Sequence, residues 1–283
     1  MIPSEPLMFS FPCPGNRHDE LLREVLAPAA SELQAFPALR ALWFERENKP
    51  AWGLRFYVAG EPAWLESIAR PLVERSLQAI APPGEGLALP DVDDKWIGGR
   101  AERSYLEAIF FADTKACFAL LDAEHRGLLR RSRAEISLRL IERLLDLFEL
   151  DEAGRLEFDR RGYQWAIDAG RWDAEVLAVL EEKYAAQRDG LRAALDCGPG
   201  DDPGAVWGGL EAAGAVEGLL RDAREPVRAI LAACAEGKIE RPPLDVAIFA
   251  AHAHGNRLGV HATQQAVTRW LVRRARVEGG DCL

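Results

Sequence analysis

Residues 42–58, LWFERENKPAWGLRFYV, decide the fold of the first part of the chain. Two runs rich in aromatic residues, 42–46 and 52–58, flank the segment 47–51, which contains Asn, Lys and Pro. Strand-forming runs on either side of such a segment predict a β-hairpin with a medium-length loop. Upstream, the short apolar run 7–11 stops at a proline and predicts a further strand.

Helical patterns alternate with these strands. Asn16 is a candidate N-cap for a helix that extends to about residue 34, and a second apolar stripe predicts a helix over 60–80. A weaker apolar run, Leu87-Ala88-Leu89, predicts one more strand. The resulting order is βαββαβ, so we expect residues 1–99 to form an α+β head of the ferredoxin-like kind.

Residues 100–283 are predicted to form a mostly helical body that shares one core with the head. Ser132 and Glu135 form a capping-box pattern ahead of a wide apolar face. Segments rich in Gly and Pro at 198–204 and 241–243 predict breaks between helices. The predicted helices cover 101–121, a segment that begins at 133, 174–195, 208–223, 227–235 and 244–277.

Composition excludes several classes of function. The 283 residues carry 45 acidic against 35 basic side chains, a net charge of −10, and such a surface repels nucleic-acid phosphates. The five cysteines are scattered without a CxxC pair, which argues against a disulfide framework or a zinc ribbon. No apolar run is long enough to span a bilayer and the first residues lack a signal-peptide pattern, so we expect a cytoplasmic protein.

Three of the five histidines lie between residues 252 and 261. On a helix, His252 and Asn256 share one face, and His254 and His261 share another. Hydrogen-bonded histidines at a helix–helix junction and a catalytic imidazole at His252 both fit this pattern, because histidine titrates close to neutral pH. A metal site at His254 and His261 lacks a third ligand at a recognisable spacing.

Arg55 interrupts an aromatic strand, where a guanidinium needs a carboxylate, a phosphate or water as its partner. Alternation places Arg55 on the same face as Gly53 and Tyr57. The side chain can therefore hold an anion in a cleft, form an internal ion pair or remain in solvent. Two further basic segments, 126–143 and 269–276, predict solvated helix ends or faces, or a docking surface for an acidic peptide.

These segments together resemble the C-terminal, lyase-type domain of lantibiotic dehydratases. The stretch 43–60 is similar to that family's opening, roughly WFxxRYxDPxxHLRLRFxG, and 87–99 occupies the place of an acidic stretch that ends in RYGG. Further along, 105–114 resembles an ExxFxxDS segment and 252–259 resembles an HMxxNRLxG segment. Order and spacing agree from about residue 5 to residue 278, as in the free-standing members of thiopeptide-type bacteriocin pathways.

The resemblance implies a lyase-type, peptide-modifying enzyme of thiopeptide or lanthipeptide biosynthesis. Its expected reaction is the elimination of glutamate from glutamylated Ser or Thr of a ribosomal precursor peptide, which leaves dehydro amino acids such as dehydroalanine. Related free-standing members instead join two dehydroalanines in a formal [4+2] cyclisation that makes a pyridine ring. A third alternative is a non-catalytic subunit that docks the precursor.

Partners and cofactors follow from the same resemblance. The expected partners are the precursor peptide and a separate glutamylating protein, without a membrane or a nucleic acid. Neither a metal nor a dissociable organic cofactor is expected. An aromatic-rich head joined to a helical body is also compatible with a homodimer.

The resemblance also assigns roles to individual residues. It implies that His252 removes the Cα proton and that Arg55 clamps the departing glutamate. The expected substrate-binding residues are Asn256, Arg257, Lys95 and Arg46. We therefore expect Arg55 and His252 to converge on a shared hollow.

Two departures from the family pattern bear on the reaction. Gly53 stands where the family has the first arginine of RLR, and the arginine of RYGG is absent, with Lys95 or Trp96 nearby. Two of the cationic positions that elimination is expected to need are therefore missing or shifted. Cyclisation does not need to clamp a leaving glutamate. The sequence therefore leaves the choice between the two reactions open.

Overall fold

The computed structural model describes residues 5–48, 52–78, 100–196 and 202–280, with the backbone alone described at 100–104 and 280. Contacts divide the chain into two compact units, Met1–Leu128 with Glu217–Ile239 and Leu129–Val216 with Glu240–Leu283. None of the described helices combines the length and the apolarity that crossing a bilayer requires.

A three-stranded antiparallel sheet forms in the first unit, with β3 between the other two strands. The strands are β1 Leu7–Pro12, β2 Leu39–Glu47 and β3 Gly53–Gly60. The register places Phe56 of β3 between Phe9 of β1 and Phe44 of β2. All three side chains are buried, so one face of the sheet supplies much of the aromatic core of this unit.

Helices of the same unit pack against the sheet. Helix α1 spans residues 18–34 and α2 spans residues 62–78, and each contains a π-helical segment, Leu22–Leu26 in α1 and Leu65–Ala69 in α2. Helix α3, Arg100–His125, lies along β2. Its Phe118 ring stacks on Phe44 with the ring centroids 5.2 Å apart, so α3 belongs to the compact unit that contains the sheet.

The predicted α+β class is confirmed in the first five elements of the head, which are a strand, a helix, two strands and a helix. The predicted strand Leu87-Ala88-Leu89 lies outside the described residues. The described sheet therefore has three strands, and the complete ferredoxin-like arrangement stays a prediction. The division of the chain at residue 99 also stays a prediction, because the unit that contains the sheet continues through Leu128.

The rest of the described chain is helical. The helices are α4 Arg133–Leu147, α5 Glu152–Asp168, α6 Ala174–Leu195, α7 Pro203–Trp207, α8 Leu210–Ala235, α9 Pro243–Leu258 and α10 Ala262–Gly280. The predicted capping box at the start of α4 is confirmed, since the Ser132 hydroxyl accepts from the Glu135 amide at 3.3 Å. Helix α5 was not predicted, although Asp151 caps it by accepting from the Gly154 amide at 2.8 Å.

Two predicted helix boundaries are wrong. Helix α8 continues through Pro226, where the sequence predicts two helices, 208–223 and 227–235. Val227 and Ile230 are fully buried beside this proline, so their packing outweighs a local penalty of about 3 kcal/mol. Conversely, the single helix predicted over 244–277 is two helices, because Gly259 adopts a left-handed conformation with φ 80° and ends α9.

Candidate functional site

Arg55 lies in the central strand of the sheet, opposite Ser10 of β1 and Glu45 of β2. Its Nε is 3.2 Å from Oε1 of Glu47, and the two side chains are 23% and 24% exposed. Of the alternatives that the sequence leaves open for this guanidinium, the structure shows the internal ion pair. Part of each side chain still faces solvent, so the pair remains within reach of a bound molecule.

Tyr57 extends this polar row along β3. Its ring stacks on Trp43 with the centroids 4.9 Å apart, and its hydroxyl donates to Oε2 of Glu45 at 3.3 Å. Arg55 lies two residues before Tyr57 on β3, so the two side chains are neighbours on this face. We call Glu45, Glu47, Arg55 and Tyr57 the Arg55 row, since one face of the sheet carries all four side chains.

The Arg55 row has a net negative charge, because two carboxylates face one guanidinium. Burial and the nearby charge of Glu45 raise the pKa of Glu47, and Arg55 opposes this shift. Burial also raises the pKa of Tyr57, which keeps the hydroxyl protonated. Such a row favours cationic groups and hydrogen-bond donors over further anions.

Gly53 continues the same face toward the start of β3. A Cβ atom built on Gly53 would lie 2.9 Å from the carbonyl oxygen of Phe11 in β1. Backbone atoms cannot yield at this distance without moving the strand, so the sheet has no room for a side chain there. The cation that the family pattern carries at this position is therefore excluded by packing.

His252 lies on α9 in the second unit, where it is exposed, and the half-buried Asn256 follows one helical turn later. The helix therefore presents both side chains on the face that the sequence predicts. Arg257, in contrast, is fully buried, and a role in substrate binding stays a prediction for it. His254 is also buried.

The two glycines of this segment, Gly255 and Gly259, are required for different structural reasons. A Cβ atom on Gly255 would lie 2.4 Å from Nε2 of Gln265, whose amide donates to the Val260 carbonyl at 2.7 Å. Gly255 therefore permits the close approach of α9 and α10, while Gly259 ends α9. His261 is exposed and its Nδ1 accepts from the Thr263 amide at 3.3 Å, which is the bond of a residue that caps α10.

Arg46 lies on the opposite face of the sheet from Arg55, because the register pairs it with Leu54. It forms an ion pair with Asp19 at 2.8 Å, and its side chain is mostly buried. Its predicted role in substrate binding stays a prediction. Lys95 lies outside the described residues.

Sequence reasoning missed His18, which is buried in the first turn of α1 beside Arg46. Its ring meets the exposed Trp52 edge-on, with the centroids 6.0 Å apart. Burial, followed by the positive charge of Arg46, lowers the pKa of His18. No spacing rule distinguishes this histidine from a solvated one in a first helical turn, so the sequence carries no signal for it.

We expect His18 to make stability depend on pH. Its pKa is lower in the folded than in the unfolded protein, so the stabilisation is complete above the ordinary value of 6.5 and is lost as the pH falls below it. The free energy of unfolding should fall by at most about 1.4 kcal/mol per pH unit from this group. Urea titrations at pH 7.5 and 5.5 should show a smaller fall for His18→Gln than for the wild type. An equal fall in both proteins contradicts the prediction, and the exposed His125 provides the control variant His125→Gln.

The second unit holds a buried ion network at the junction of α4, α5 and α10. Nη1 of Arg269 is 3.3 Å from Glu142 and 3.2 Å from Asp159, and Nε of Arg276 is 2.9 Å from Asp159. Arg276 also pairs with Glu142, as does Arg155 at 3.4 Å. Burial raises the pKa of Asp159 to about 6, although Arg269 pulls it down.

This network corrects the prediction that the basic segment 269–276 is solvated, because Arg269 is buried and the Arg276 side chain is 9% exposed. Arg139, in the other basic segment, is buried as well. The exposed part of 126–143 includes Arg126 and Arg130. The Arg55 row lies in the first unit and the His252 turn in the second, so their convergence on one hollow stays a prediction.

Comparison with known proteins identifies a matching family and solved structures that share this fold. The family model described as lantibiotic biosynthesis dehydratase C-term matches residues 7–276. The structure is similar to that of TbtD, a pyridine synthase from thiomuracin biosynthesis, with a TM-score of 0.71, 16% identity and coverage of 99% of this chain and 100% of that one. A search of curated proteins by sequence finds no match.

Two further solved structures share the fold. TsrL matches with a TM-score of 0.64 and 19% identity, over 98% of this chain and 95% of that one. The tRNA-dependent lantibiotic dehydratase MibB from Microbispora sp. 107891 also matches with a TM-score of 0.64 and 19% identity, over 100% of this chain. This chain spans only 29% of the MibB chain.

Proposed function

This chain belongs to the lantibiotic biosynthesis dehydratase C-terminal family, and from that membership we propose that it modifies a ribosomally made precursor peptide. The reaction that we propose is the formal [4+2] cyclisation of two dehydroalanine residues to a pyridine ring. A separate glutamylating and eliminating system then has to supply the dehydroalanines, which makes such a system the expected functional partner.

The observation that carries this choice is the ion pair of Arg55 with Glu47, at 3.2 Å. Elimination of glutamate needs cations that hold a departing carboxylate. The Arg55 row instead presents two carboxylates around its single guanidinium, and Gly53 has no room for a second cationic side chain. Cyclisation acts on neutral dehydroalanines and does not require that an anion be held.

One of the similar structures, that of TbtD, supports the proposal as a shared fold. TbtD, described as a pyridine synthase, and TsrL both match this chain along nearly their whole length. MibB, described as a dehydratase, carries the fold within a much longer chain. In the cyclisation, the exposed His252 and the half-buried Asn256 are the polar pair on α9 that we propose to contact the peptide.

Mass spectrometry tests the reaction. We expect a synthetic precursor peptide with two dehydroalanine residues behind a leader to lose water and release the leader as an amide. A matched peptide with a glutamylated serine should remain unchanged. Loss of glutamic acid from the second peptide, with the first unchanged, shows elimination and overturns the proposal. Tight binding of both peptides without turnover shows a docking subunit instead.

A further inference from the structure

We propose that Glu47 is the acid–base residue of the Arg55 row, which moves the amide proton that cyclisation has to relocate. This inference rests on the proposed function, since it assigns a residue to a step of that reaction. No sequence pattern singles out Glu47, which ends β2 next to the hairpin loop.

Among the residues that the structure describes, Glu47 is the carboxylate of the row without a hydrogen bond. Glu45 accepts from the Tyr57 hydroxyl at 3.3 Å. Nε of Arg55 lies 3.2 Å from Oε1 of Glu47, but within the described part of the chain this buried N–H has no hydrogen-bond partner. The guanidinium therefore holds Glu47 by charge and leaves its oxygen lone pairs available to a substrate proton.

The position of Glu47 also fits a group that exchanges protons with a bound peptide. Its side chain is 24% exposed, so a substrate atom can reach the carboxylate while most of its surface is shielded from water. The groups that face it are Glu45 on its own strand and Arg55 on β3, with Tyr57 beyond them. Burial and the charge of Glu45 raise the pKa of Glu47 against the opposing charge of Arg55, so this carboxyl group holds a proton more readily than an exposed glutamate does.

The chemical step balances without an added reagent. The backbone amide that joins one dehydroalanine to its preceding residue loses its N–H proton to the Glu47 carboxylate. The nitrogen electron pair forms a C=N bond as the carbonyl π pair moves to oxygen, and Glu47 returns the same proton to that oxygen. The resulting 2-azadiene forms two C–C bonds with the second dehydroalanine. Loss of water and of the leader amide then gives the pyridine.

A comparison of Glu47→Gln with Glu47→Asp tests this role. With the bis-dehydroalanine peptide as substrate, we expect Glu47→Gln to lower kcat by about 100-fold or more while KM stays within about threefold. Glu47→Asp should keep part of the activity, and the acidic limb of the wild-type pH–kcat profile should disappear in Glu47→Gln. Glu24→Gln, an exposed position on α1, is the matched control and should leave kcat unchanged.

The outcomes separate this inference from the proposed function. If the wild type makes no pyridine, the proposed function and the role of Glu47 are both wrong. If the wild type makes pyridine and Glu47→Gln keeps its kcat and its pH profile, or changes only KM, Glu47 is not the acid–base residue. Circular dichroism of each variant shows whether the fold is retained. Should Glu47→Gln fail to fold, the pH profile of Glu47→Asp decides, because a shorter carboxyl group must still shift the acidic limb.

Discussion

Replacing Arg269 with methionine is expected to lower the free energy of unfolding by about 3–5 kcal/mol. The substitution keeps an apolar stem of similar length but removes the guanidinium that lies 3.3 Å from Glu142 and 3.2 Å from Asp159. Both carboxylates stay buried, and Arg276 and Arg155 alone then have to compensate them. An uncompensated buried charge is among the few single changes with an effect of this size.

Chemical denaturation measures this effect, and Arg274→Met on the same helix is the control. Arg274 pairs with Glu181 at 3.1 Å, but its side chain is 34% exposed. An exposed pair of this kind contributes about 0–1 kcal/mol. If both variants lose the same small amount of stability, the network does not hold α4, α5 and α10 together in the way that its burial indicates.

Replacing His252 with glutamine is expected to lower turnover of the bis-dehydroalanine peptide by about 100-fold or more, because the imidazole is the group on α9 that we propose to contact and orient the peptide. His252 is exposed on α9, so the substitution removes no core packing. His261→Gln is the control in the same segment, since His261 is exposed and caps α10. Initial rates of product formation give the comparison.

The double variant Arg55→Met, His252→Gln tests whether the two residues act on one substrate. When two residues act together, the losses of activity from replacing each one do not add. The turnover of the double variant should therefore be only slightly lower than that of the less active single variant. Losses that multiply would contradict a shared site. Unchanged turnover in His252→Gln shows that His252 does not act in the reaction.

The hairpin could be predicted because its signals are local. The aromatic runs and the polar segment between them specify β2 and β3 within 22 residues, Leu39–Gly60, and alternation along β3 then fixes the face of Arg55. The partner of Arg55 could not be predicted in the same way. Glu47 becomes its neighbour through the register of two strands and the direction of two long side chains.

The errors in the helical part arise from packing between residues far apart in sequence. Gly255 and Gly259 are the same residue type four positions apart, yet only Gly259 ends the helix. Gly255 stays helical, and its small size accommodates Gln265 of the next helix. Likewise, an arginine on a helix is ordinarily solvated, and the carboxylates of α4 and α5 explain why Arg269, in the middle of α10, is buried.

The contact at Gly53 limits how the charge of this strand can be redesigned. Because the Phe11 carbonyl occupies the space of a Cβ atom, introducing an arginine at this position would require β1 to shift as well. A Gly53→Arg substitution alone therefore cannot convert this strand into a doubly basic one without a compensating change in β1.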